Sequence, residues 1–407
     1  MSVRTNLDRR AFVSGLSMTA AGLLTACSRG NSQSDLDAYL VDKMERSQIP
    51  GLAAAIIRYP DVVWSKGYGW ADIDRGVEMT LDTIQNIGSI SKTFVGTAIM
   101  QLKESGDLAL EDDVNRFIDF PLRNPSHPDR SVTILDLLTH KSSIADGSAY
   151  SRGYACGDPT VPLDQWIRGY FESDGVYFNA PENFHAWAPG DRGEYNNLAF
   201  GLLAYLVEVI SALPFEQYCR TRIFEPIGMV DTSWYLSGVD TSRHAIPYSY
   251  VTNDEIRGPT WGGTAQRVVG AENGAVVSNG HAPNCLYNHP NFPDGFLRTS
   301  VHQLAKYQLA YLNGGALDGK RILSESSVRE MLSPLFPTPD RPGLEQGLVW
   351  WRRELPSGDF VWEHAGGDPG INTIFSFDPS SGHGVIVFAN TWGAQLREAS
   401  DRLLQEL

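Results

Sequence analysis

The chain has 407 residues, a formal net charge of −15 at pH 7 and a sequence isoelectric point of about 5.0. Its content of 42% hydrophobic and 20% charged residues is typical of a globular protein with a sizeable core. An acidic surface repels phosphate backbones and the sequence shows no basic stripe, so we expect no nucleic acid partner.

The first segment of the chain resembles an export signal and not part of the fold. Arg9-Arg10 precede a modestly apolar run, residues 11–26, that is too short for a permanent membrane span. The paired arginines are similar to a twin-arginine signal, and Leu24-Thr25-Ala26-Cys27 is similar to a lipoprotein cleavage site. We therefore expect residues 1–26 to be removed. The alternatives are a general secretory signal with an incidental cysteine, or a misassigned start codon.

This interpretation makes Cys27 the lipid-bearing first residue of the mature protein. Residues 27–34 are polar and contain glycine and serine, which suits a tether between the lipid and the folded part. The predicted location is periplasmic or at the cell surface, with membrane attachment through the N-terminal lipid only.

Apolar segments of strand length occur near both ends of the remaining chain. They cover residues 52–58, 62–70, 348–353, 360–363, 371–377 and 384–390. This order predicts an α+β fold, in which an antiparallel sheet is flanked by helices and interrupted by a mostly helical insertion. The predicted sheet domain combines residues 35–115 with 291–407, and the predicted insertion covers residues 116–290.

The most informative motif is Ser89-Ile90-Ser91-Lys92, at the start of a predicted helix over residues 90–104 that stops before Gly106. Residues three positions apart share a helix face, so Ser89 and Lys92 are neighbours. Unpaired N–H groups at a helix start can hold an oxyanion, and Lys92 can accept the Ser89 proton if its pKa is lowered. The alternative is that Ser89 only caps the helix and Lys92 points to solvent.

A second candidate group is Tyr195-Asn196-Asn197, which precedes a predicted apolar helix over residues 198–210. A tyrosine there could relay a proton between Ser89 and a leaving group, and Asn197 could contact a substrate carbonyl or amide. The alternative makes one of the asparagines an ordinary N-cap and Tyr195 a core aromatic.

The third candidate group, His364-Ala365-Gly366-Gly367, is predicted to lie at a strand end before the turn Asp368-Pro369-Gly370. Glycines would let a strand edge approach a ligand backbone, and one of their N–H groups could complete an oxyanion hole with that of Ser89. The alternative is that His364 is a structural residue.

Taken together in this order, the three groups resemble the motifs of the penicillin-recognising serine hydrolases, the serine β-lactamase-like family. The resemblance is closest to the class C β-lactamase-related branch, with its esterases and D-amino-acid peptidases. Residues 133–140, 195–203 and 296–300 are also similar to the helix and loop signatures of that family. The resemblance implies a β-lactamase/transpeptidase-like fold and a cofactor-free, metal-free acyl-enzyme mechanism.

The resemblance also implies a role for each motif residue. Ser89 would be the acylated nucleophile, and Lys92 and Tyr195 would share the proton transfers. Gly367 would supply the second oxyanion N–H. The implied substrate-binding residues are Asn197, His364, Gly366 and Gly367.

The third motif departs from the Lys-Thr-Gly that lactamases and D,D-peptidases usually carry. His364-Ala365-Gly366 lacks the fixed cation and the hydroxyl that contact a substrate carboxylate. We therefore predict cleavage of an ester, an amide or a D-amino-acid peptide, with a small molecule or short peptide as substrate. The alternatives are a true β-lactamase or D,D-carboxypeptidase, and a non-catalytic lipoprotein that binds cell-wall peptides.

Three cysteines follow Cys27. We expect Cys219, in a predicted helix over residues 215–223, to be a buried thiol. Export would permit a disulfide between Cys156 and Cys285, which lie in loop-like segments, but the sequence leaves this open. His281, Cys285 and His289 have the residue types of metal ligands, yet no helix aligns them, so we expect no metal site.

Two remaining patterns have weaker interpretations. Ala149-Tyr150-Ser151-Arg152-Gly153 is one residue short of a nucleophile elbow and lacks the flanking strand and helix, so we do not assign it that role. Aromatic residues in irregular stretches either line an acyl pocket or pack beneath loops: Tyr150, Tyr154, Trp187, Tyr248, Tyr250 and Trp261.

Overall fold

The computed structural model describes residues 27–252, 255–257, 280–338 and 342–407, with the backbone alone for residues 27–33 and 251–257. Its α-helices are α1 (Cys27–Ser47), α2 (Ser91–Ser105), α3 (Ile134–Leu138), α4 (Ser148–Arg152), α5 (Leu163–Phe171), α6 (Ala180–Asn183), α7 (Leu198–Ser211), α8 (Phe215–Cys219), α9 (Val301–Leu312), α10 (Glu325–Met331) and α11 (Leu396–Leu404).

The strands before residue 290 are β1 (Gly51–Arg58), β2 (Asp61–Asp72), β3 (Val77–Glu78), β4 (Gln85–Asn86), β5 (Ala155–Cys156), β6 (Tyr248–Thr252), β7 (Glu255–Arg257), β8 (Gly280–Pro283) and β9 (Tyr287–Asn288). Those after it are β10 (Arg298–Thr299), β11 (Ala316–Leu317), β12 (Lys320–Arg321), β13 (Phe336–Pro337), β14 (Leu344–Gln346), β15 (Trp351–Glu354), β16 (Phe360–Asp368), β17 (Ile371–Asp378) and β18 (His383–Ala389).

The main sheet joins both ends of the chain, as the sequence predicts. Its order is β13-β14-β15-β16-β17-β18-β1-β2-β3, and every neighbouring pair is antiparallel. Strands β13 to β18 follow one another as a meander, and β1 adds to its end beside β18. Helices α9 and α11 pack on β17 and β18. The predicted α+β fold with an antiparallel sheet is therefore confirmed.

The predicted strands at both ends of the chain agree with β1, β2, β17 and β18 to within two residues. Two predictions are wrong in extent. β15 begins only at Trp351, because Val349 has a φ of 70° that interrupts the extended backbone. β16 continues to Asp368 through the two glycines, which pair with β17 as Gly366 with Thr373 and Gly367 with Asn372.

The helices that follow the first two motifs also form where the sequence predicts them. Gly106 has a φ of 81° and ends α2 in a left-handed cap. However, α2 is more enclosed than one apolar stripe implies, because every residue from Ser91 to Met100 is buried. Its polar side chains must then find partners inside the protein, and Thr97 does so on the hydroxyls of Tyr307 and Tyr311 in α9.

The described residues from Leu40 to Leu407 form one compact unit, and the described residues 27–39 belong to a separate one. The predicted division between a sheet domain and an insertion at residues 116–290 stays a prediction. The described part of that insertion holds α3 to α8 together with short strand pairs, among them β5 with β9. Helix α8 ends at Cys219, and a π-helical turn over Arg220–Phe224 replaces the predicted continuation.

The structure shows the bonding of the cysteines, which the sequence leaves open. Cys156 and Cys285 form a disulfide with an S–S distance of 2.08 Å, and Cys219 is a buried free thiol, as predicted. Cys285 is therefore bonded to sulfur, and the Nε2 atom of His289 lies 2.8 Å from the Tyr150 carbonyl oxygen. In the part of the chain that the structure describes, no group of His, Cys, Asp and Glu residues is arranged to hold a metal ion.

The predicted export signal, residues 1–26, lies outside the described residues. Helix α1 begins at Cys27 and includes the backbone of the predicted tether. Among the described helices, none alone has the length and apolar composition of a membrane span. Leu198–Ser211 and Phe215–Phe224 meet that test only as a pair, with a bend of 77° between them.

Candidate active site

Ser89 lies in a single 3-10 turn, Gly88–Ile90, directly before α2. Hydrogen bonds hold this turn on both sides: Gly88 N donates to Asn86 Oδ1 at 2.7 Å, and Ser91 Oγ donates to the Gly88 carbonyl oxygen at 2.7 Å. The Ser89 side chain is half-buried and retains access to solvent. The turn therefore presents the hydroxyl from a rigid backbone.

Two glycines let the Ser89 turn lie directly against β16. Gly88 has a φ of 56°, and a Cβ atom there would lie 2.7 Å from Gly367 N. A Cβ atom on Gly366 would lie 2.0 Å from the Ile87 carbonyl oxygen. The pairing of β15 with β16 ends at Glu363, which leaves the edge beyond it to this turn. The close approach that we predicted for these glycines is thus made to the nucleophile turn itself, and it brings the main chains of Ser89 and Gly367 together.

Lys92 is fully buried and stands at the centre of the site. Its Nζ atom donates to Ser89 Oγ at 3.0 Å, to Asn197 Oδ1 at 2.7 Å and to the Asp294 carbonyl oxygen at 2.7 Å. The alternative in which Lys92 points to solvent is therefore wrong. These three acceptors and the neighbouring Tyr195 side chain share the three N–H donors of the ammonium group.

Tyr195 is half-buried beside Lys92, with its ring centre 5.0 Å from Nζ and a hydrogen bond between the two side chains. The ring also packs on those of His140 and Trp351, at centroid distances of 4.5 Å and 5.8 Å. Asn196, the neighbour of Tyr195, acts as a cap, because its Oδ1 accepts from Ala199 N at 2.6 Å. The first two predicted motifs are thus brought together around one lysine.

His364 does not lie at a strand end but in the middle of β16, and its side chain is fully buried. Its ring packs on Trp351 at a centroid distance of 4.5 Å, and Nδ1 lies 2.9 Å from the Ala365 carbonyl oxygen. Because the ring lines no open surface, the geometry gives no support to its predicted contact with a substrate. That role of His364 stays a prediction.

Three carboxyl groups near Lys92 are absent from the sequence-based site. Asp294 Oδ2 lies 3.5 Å from Lys92 Nζ and accepts from the Tyr150 hydroxyl at 2.7 Å. Asp368 Oδ1 accepts from the Tyr154 hydroxyl at 2.8 Å. The third is Asp146, which accepts from Asn197 Nδ2 at 2.8 Å. Tyr150 and Tyr154 therefore hold buried acids behind the site and do not form an open aromatic pocket.

Burial raises the pKa of all three carboxyl groups. The pKa of Asp368 rises to about 7, that of Asp146 rises to about 6, and that of Asp294 also rises. Burial disfavours a charged carboxylate, and in Asp146 and Asp368 the charge of Asp294 adds to this effect. The site therefore holds more acidic groups than its one central lysine can neutralise.

The pKa of Lys92 moves in the direction opposite to the one that a lysine base requires. Burial lowers it, but the negative charges of Tyr195, Asp294 and Asp146 and the hydrogen bond with Tyr195 together outweigh burial, so the pKa of Lys92 is raised above 10.5. Lys92 is therefore an ammonium group in this structure. The condition under which we expected it to act as a base is not met.

Comparison with known proteins identifies the family of this chain. The sequence profile of the β-lactamase family matches residues 36–407. The chain belongs to the β-lactamase family. Members of this family are serine hydrolases that act on small-molecule or peptide substrates.

Protein flp of Staphylococcus aureus (strain MRSA252) is 24% identical to the chain over 365 residues, which cover 88% of this chain and 63% of that protein. The chain thus spans less than two thirds of the length of this relative. The D-amino acid amidase of Ochrobactrum anthropi SV3, solved with L-phenylalanine, has a TM-score of 0.74 at 22% identity and covers 92% of this chain and 98% of its own.

A class C β-lactamase has a TM-score of 0.70 at 17% identity over 94% of this chain and 98% of its own. At these identities the likenesses show the fold alone, and the fold is the β-lactamase/transpeptidase-like one that the three motifs imply. The predicted membership of the serine β-lactamase-like family is confirmed by the match to the family profile.

The raised pKa of Asp368 predicts a pH-dependent stability. For an acid whose pKa is higher in the folded state, stability is present at low pH and is lost as pH rises through the folded value. Between about pH 4 and 7, wild type should lose up to about 1.4 kcal/mol of unfolding free energy per pH unit relative to Asp368→Asn, with no further loss above about pH 7. Urea denaturation at pH 4.5 to 8 measures this difference.

Asp378→Asn is the matched control, because Asp378 has the opposite shift. Burial raises the pKa of Asp378, but hydrogen bonds from Ser380 and Ser381 outweigh burial and lower it. The contribution of Asp378 to the free energy of unfolding should therefore decrease only below about pH 4. Parallel stability curves for wild type and Asp368→Asn across the whole pH range would show that Asp368 is not perturbed as described.

Proposed function

We propose that this β-lactamase-family chain is a serine hydrolase that cleaves an ester, amide or D-amino-acid peptide bond through an acyl-enzyme on Ser89. The observation that carries this proposal is the 3.0 Å contact between Ser89 Oγ and the fully buried Lys92 Nζ. A lysine is almost never fully buried, because an ammonium loses its hydration there. A protein that only binds its ligand gains nothing from a buried ammonium group, with its large desolvation cost, beside a partly exposed serine.

The geometry supports separate chemical roles for Tyr195, for Lys92 and for the backbone N–H groups near Ser89. We assign the base to the phenolate form of Tyr195, which the Lys92 ammonium would stabilise from 5.0 Å away, measured between Nζ and the ring centre. Tyr195 can then take the Ser89 proton as Oγ forms a bond to the substrate carbonyl carbon. The negative charge moves to the carbonyl oxygen, where the backbone N–H groups of Ser89 and Gly367 stabilise it.

Collapse of this tetrahedral intermediate breaks the bond to the leaving group, which takes its proton from Tyr195. Water then attacks the acyl group, gives its proton to Tyr195 and releases Ser89 by the reverse sequence. Throughout, Lys92 keeps its charge and offsets the negative charge that passes between the phenol and the substrate. This assigns the base to Tyr195 and not to Lys92.

The third motif supports the substrate ranking. Ala365 carries no hydroxyl, and His364 is fully buried, so neither residue offers the cation or hydroxyl that a β-lactam carboxylate meets in Lys-Thr-Gly. Esters and amides need no such contact at that position. The likeness in fold to a D-amino acid amidase also favours amide bonds.

We predict that the purified protein hydrolyses a short-chain nitrophenyl ester and a D-aminoacyl amide faster than a chromogenic cephalosporin. Ser89→Ala should lower kcat/KM by about 10³-fold or more, because the residue forms the covalent intermediate. A fluorophosphonate should label Ser89 alone. Steady-state kinetics and peptide mass spectrometry provide the two measurements.

Ser151→Ala is the matched control, since Ser151 is exposed in α4, in the weak elbow-like sequence. It should retain full activity and full labelling. Unchanged activity in Ser89→Ala would remove the proposed nucleophile, and rapid β-lactam hydrolysis without esterase activity would reverse the substrate ranking.

We also infer that the protein is exported and held at a membrane by a lipid on Cys27. The Leu24-Thr25-Ala26-Cys27 sequence supports this, and so does the disulfide between Cys156 and Cys285, because disulfides persist in oxidising compartments. In the native organism, mass spectrometry should find a lipid-modified Cys27 at the N-terminus of the membrane fraction, and Cys27→Ser should abolish this modification. An unprocessed chain in the cytoplasm contradicts the inference.

A further inference from the structure

Asp146 lies in the loop between α3 and α4, far in sequence from the motif that it contacts. Its carboxylate accepts from the backbone N atoms of Asn197 and Leu198, each at 3.0 Å, at the start of α7. It also accepts from Asn196 Nδ2 at 2.9 Å and from Asn197 Nδ2 at 2.8 Å. One carboxylate thus accepts hydrogen bonds from two backbone N–H groups and from two side-chain amides at the start of the 14-residue helix α7.

These contacts determine which end of the Asn197 amide faces Lys92. The Nδ2 atom can only donate and the Oδ1 atom can only accept. Because the Asp146 carboxylate accepts from Nδ2, Oδ1 must point the other way, where it meets Lys92 Nζ at 2.7 Å. The reversed amide would place its NH₂ group against the ammonium and remove one of the three acceptors that hold it.

We propose that Asp146 is a positioning residue for acyl transfer, which fixes Asn197 so that Lys92 is held at Ser89. The proposal rests on the proposed function of Ser89. In the described residues Asp146 makes no hydrogen bond to Ser89 or Lys92, so its positioning effect passes through Asn197, in addition to the direct attraction between its charge and Lys92. No sequence motif marks this residue, and the family resemblance assigns it no role.

The charge of Asp146 is part of this arrangement, since a protonated carboxyl group gives up one acceptor position and becomes a donor. The charged and titratable groups around it are Lys92 of α2, Tyr150 of α4, Tyr170 of α5, Asp294 before β10, and His140 after α3, which accepts from Asn196 N. Lys92 and the backbone donors favour the carboxylate, whereas Asp294 disfavours it.

With a pKa raised to about 6 by burial, Asp146 becomes protonated as pH falls through that value. The wild-type kcat should then decrease below about pH 6 in part because Asn197 loses its fixed orientation. Asp294 and Asp368 also have raised pKa values, so the wild-type profile alone does not separate the three carboxyl groups.

The test is a double-mutant cycle on the full chain with the nitrophenyl ester as substrate. The variants are Asp146→Asn, Asn197→Ala and the combination. Asp146→Asn should lower kcat about 10- to 100-fold, the range for lost hydrogen bonds to a charged group, with KM changed less than about threefold. Because Asp146 acts through Asn197, the combination should be no slower than Asn197→Ala alone. The pH profile of kcat for Asp146→Asn should also lack the decrease near pH 6 that protonation of Asp146 causes in wild type.

Asp164→Asn is the matched control, since Asp164 is an exposed aspartate in the first turn of α5. It should leave kcat, KM and the pH profile unchanged. Asp146→Glu keeps the charge and should restore part of the lost kcat, and it provides a second variant if Asp146→Asn does not fold. Multiplicative effects in the cycle, or an unaltered acid limb in Asp146→Asn, overturn the proposal.

The outcomes separate this proposal from the proposed function. If Ser89→Ala remains active, the nucleophile is wrong whatever Asp146 does. If Ser89 is labelled and essential while Asp146→Asn keeps full kcat, only the positioning role of Asp146 is wrong.

Discussion

A buried lysine ammonium is the group around which this protein's candidate site is built. Removing such an ion from water costs several kcal/mol even after the protein relaxes. Lys92 offsets this cost with three hydrogen bonds, to Ser89, Asn197 and the Asp294 main chain. These partners come from three separate segments of the chain, so the site exists only when α2, the start of α7 and the turn before β10 close around the lysine.

The same requirement explains the acidic surroundings. An ammonium that kept only neutral partners would be free to lose its proton, because burial lowers its pKa. The carboxyl groups of Asp294 and Asp146 and the phenol of Tyr195 reverse that effect. The site thus holds a positive charge beside a serine. In the proposed mechanism Lys92 keeps its proton, and Tyr195 is the group that accepts the proton of the serine.

The sequence was sufficient wherever the signal is local. Helical periodicity with Gly106 predicted α2, and apolar runs of strand length predicted β1, β2, β17 and β18, because each pattern reports how one element meets the core. The same reasoning placed β15 and β16 inaccurately. Val349 adopts a left-handed conformation that a β-branched residue rarely takes, and glycines that usually interrupt a strand remain paired here.

The candidate site likewise combines residues that local sequence patterns predict with residues that they do not. Ser89, Lys92 and Tyr195 stand in recognisable patterns, whereas the acids that control Lys92 do not. Asp146 and Asp294 each precede a glycine, which reads as ordinary turn chemistry. Their importance comes from contacts across 51 and 202 residues of chain, to Asn197 and Lys92. The direction of the Lys92 pKa shift depends on those contacts, and so no local pattern could have provided it.

The protonation state of Lys92 can be measured directly by NMR. Of the seven lysines in the chain, the signal of ¹³C-labelled Lys92 is the one lost in Lys92→Met. Its Cε shift, followed against pH in the folded protein, should remain that of an ammonium group at neutral pH, and any titration midpoint should lie above the usual lysine value of 10.5. A midpoint near neutral pH would make Lys92 the base and contradict the account.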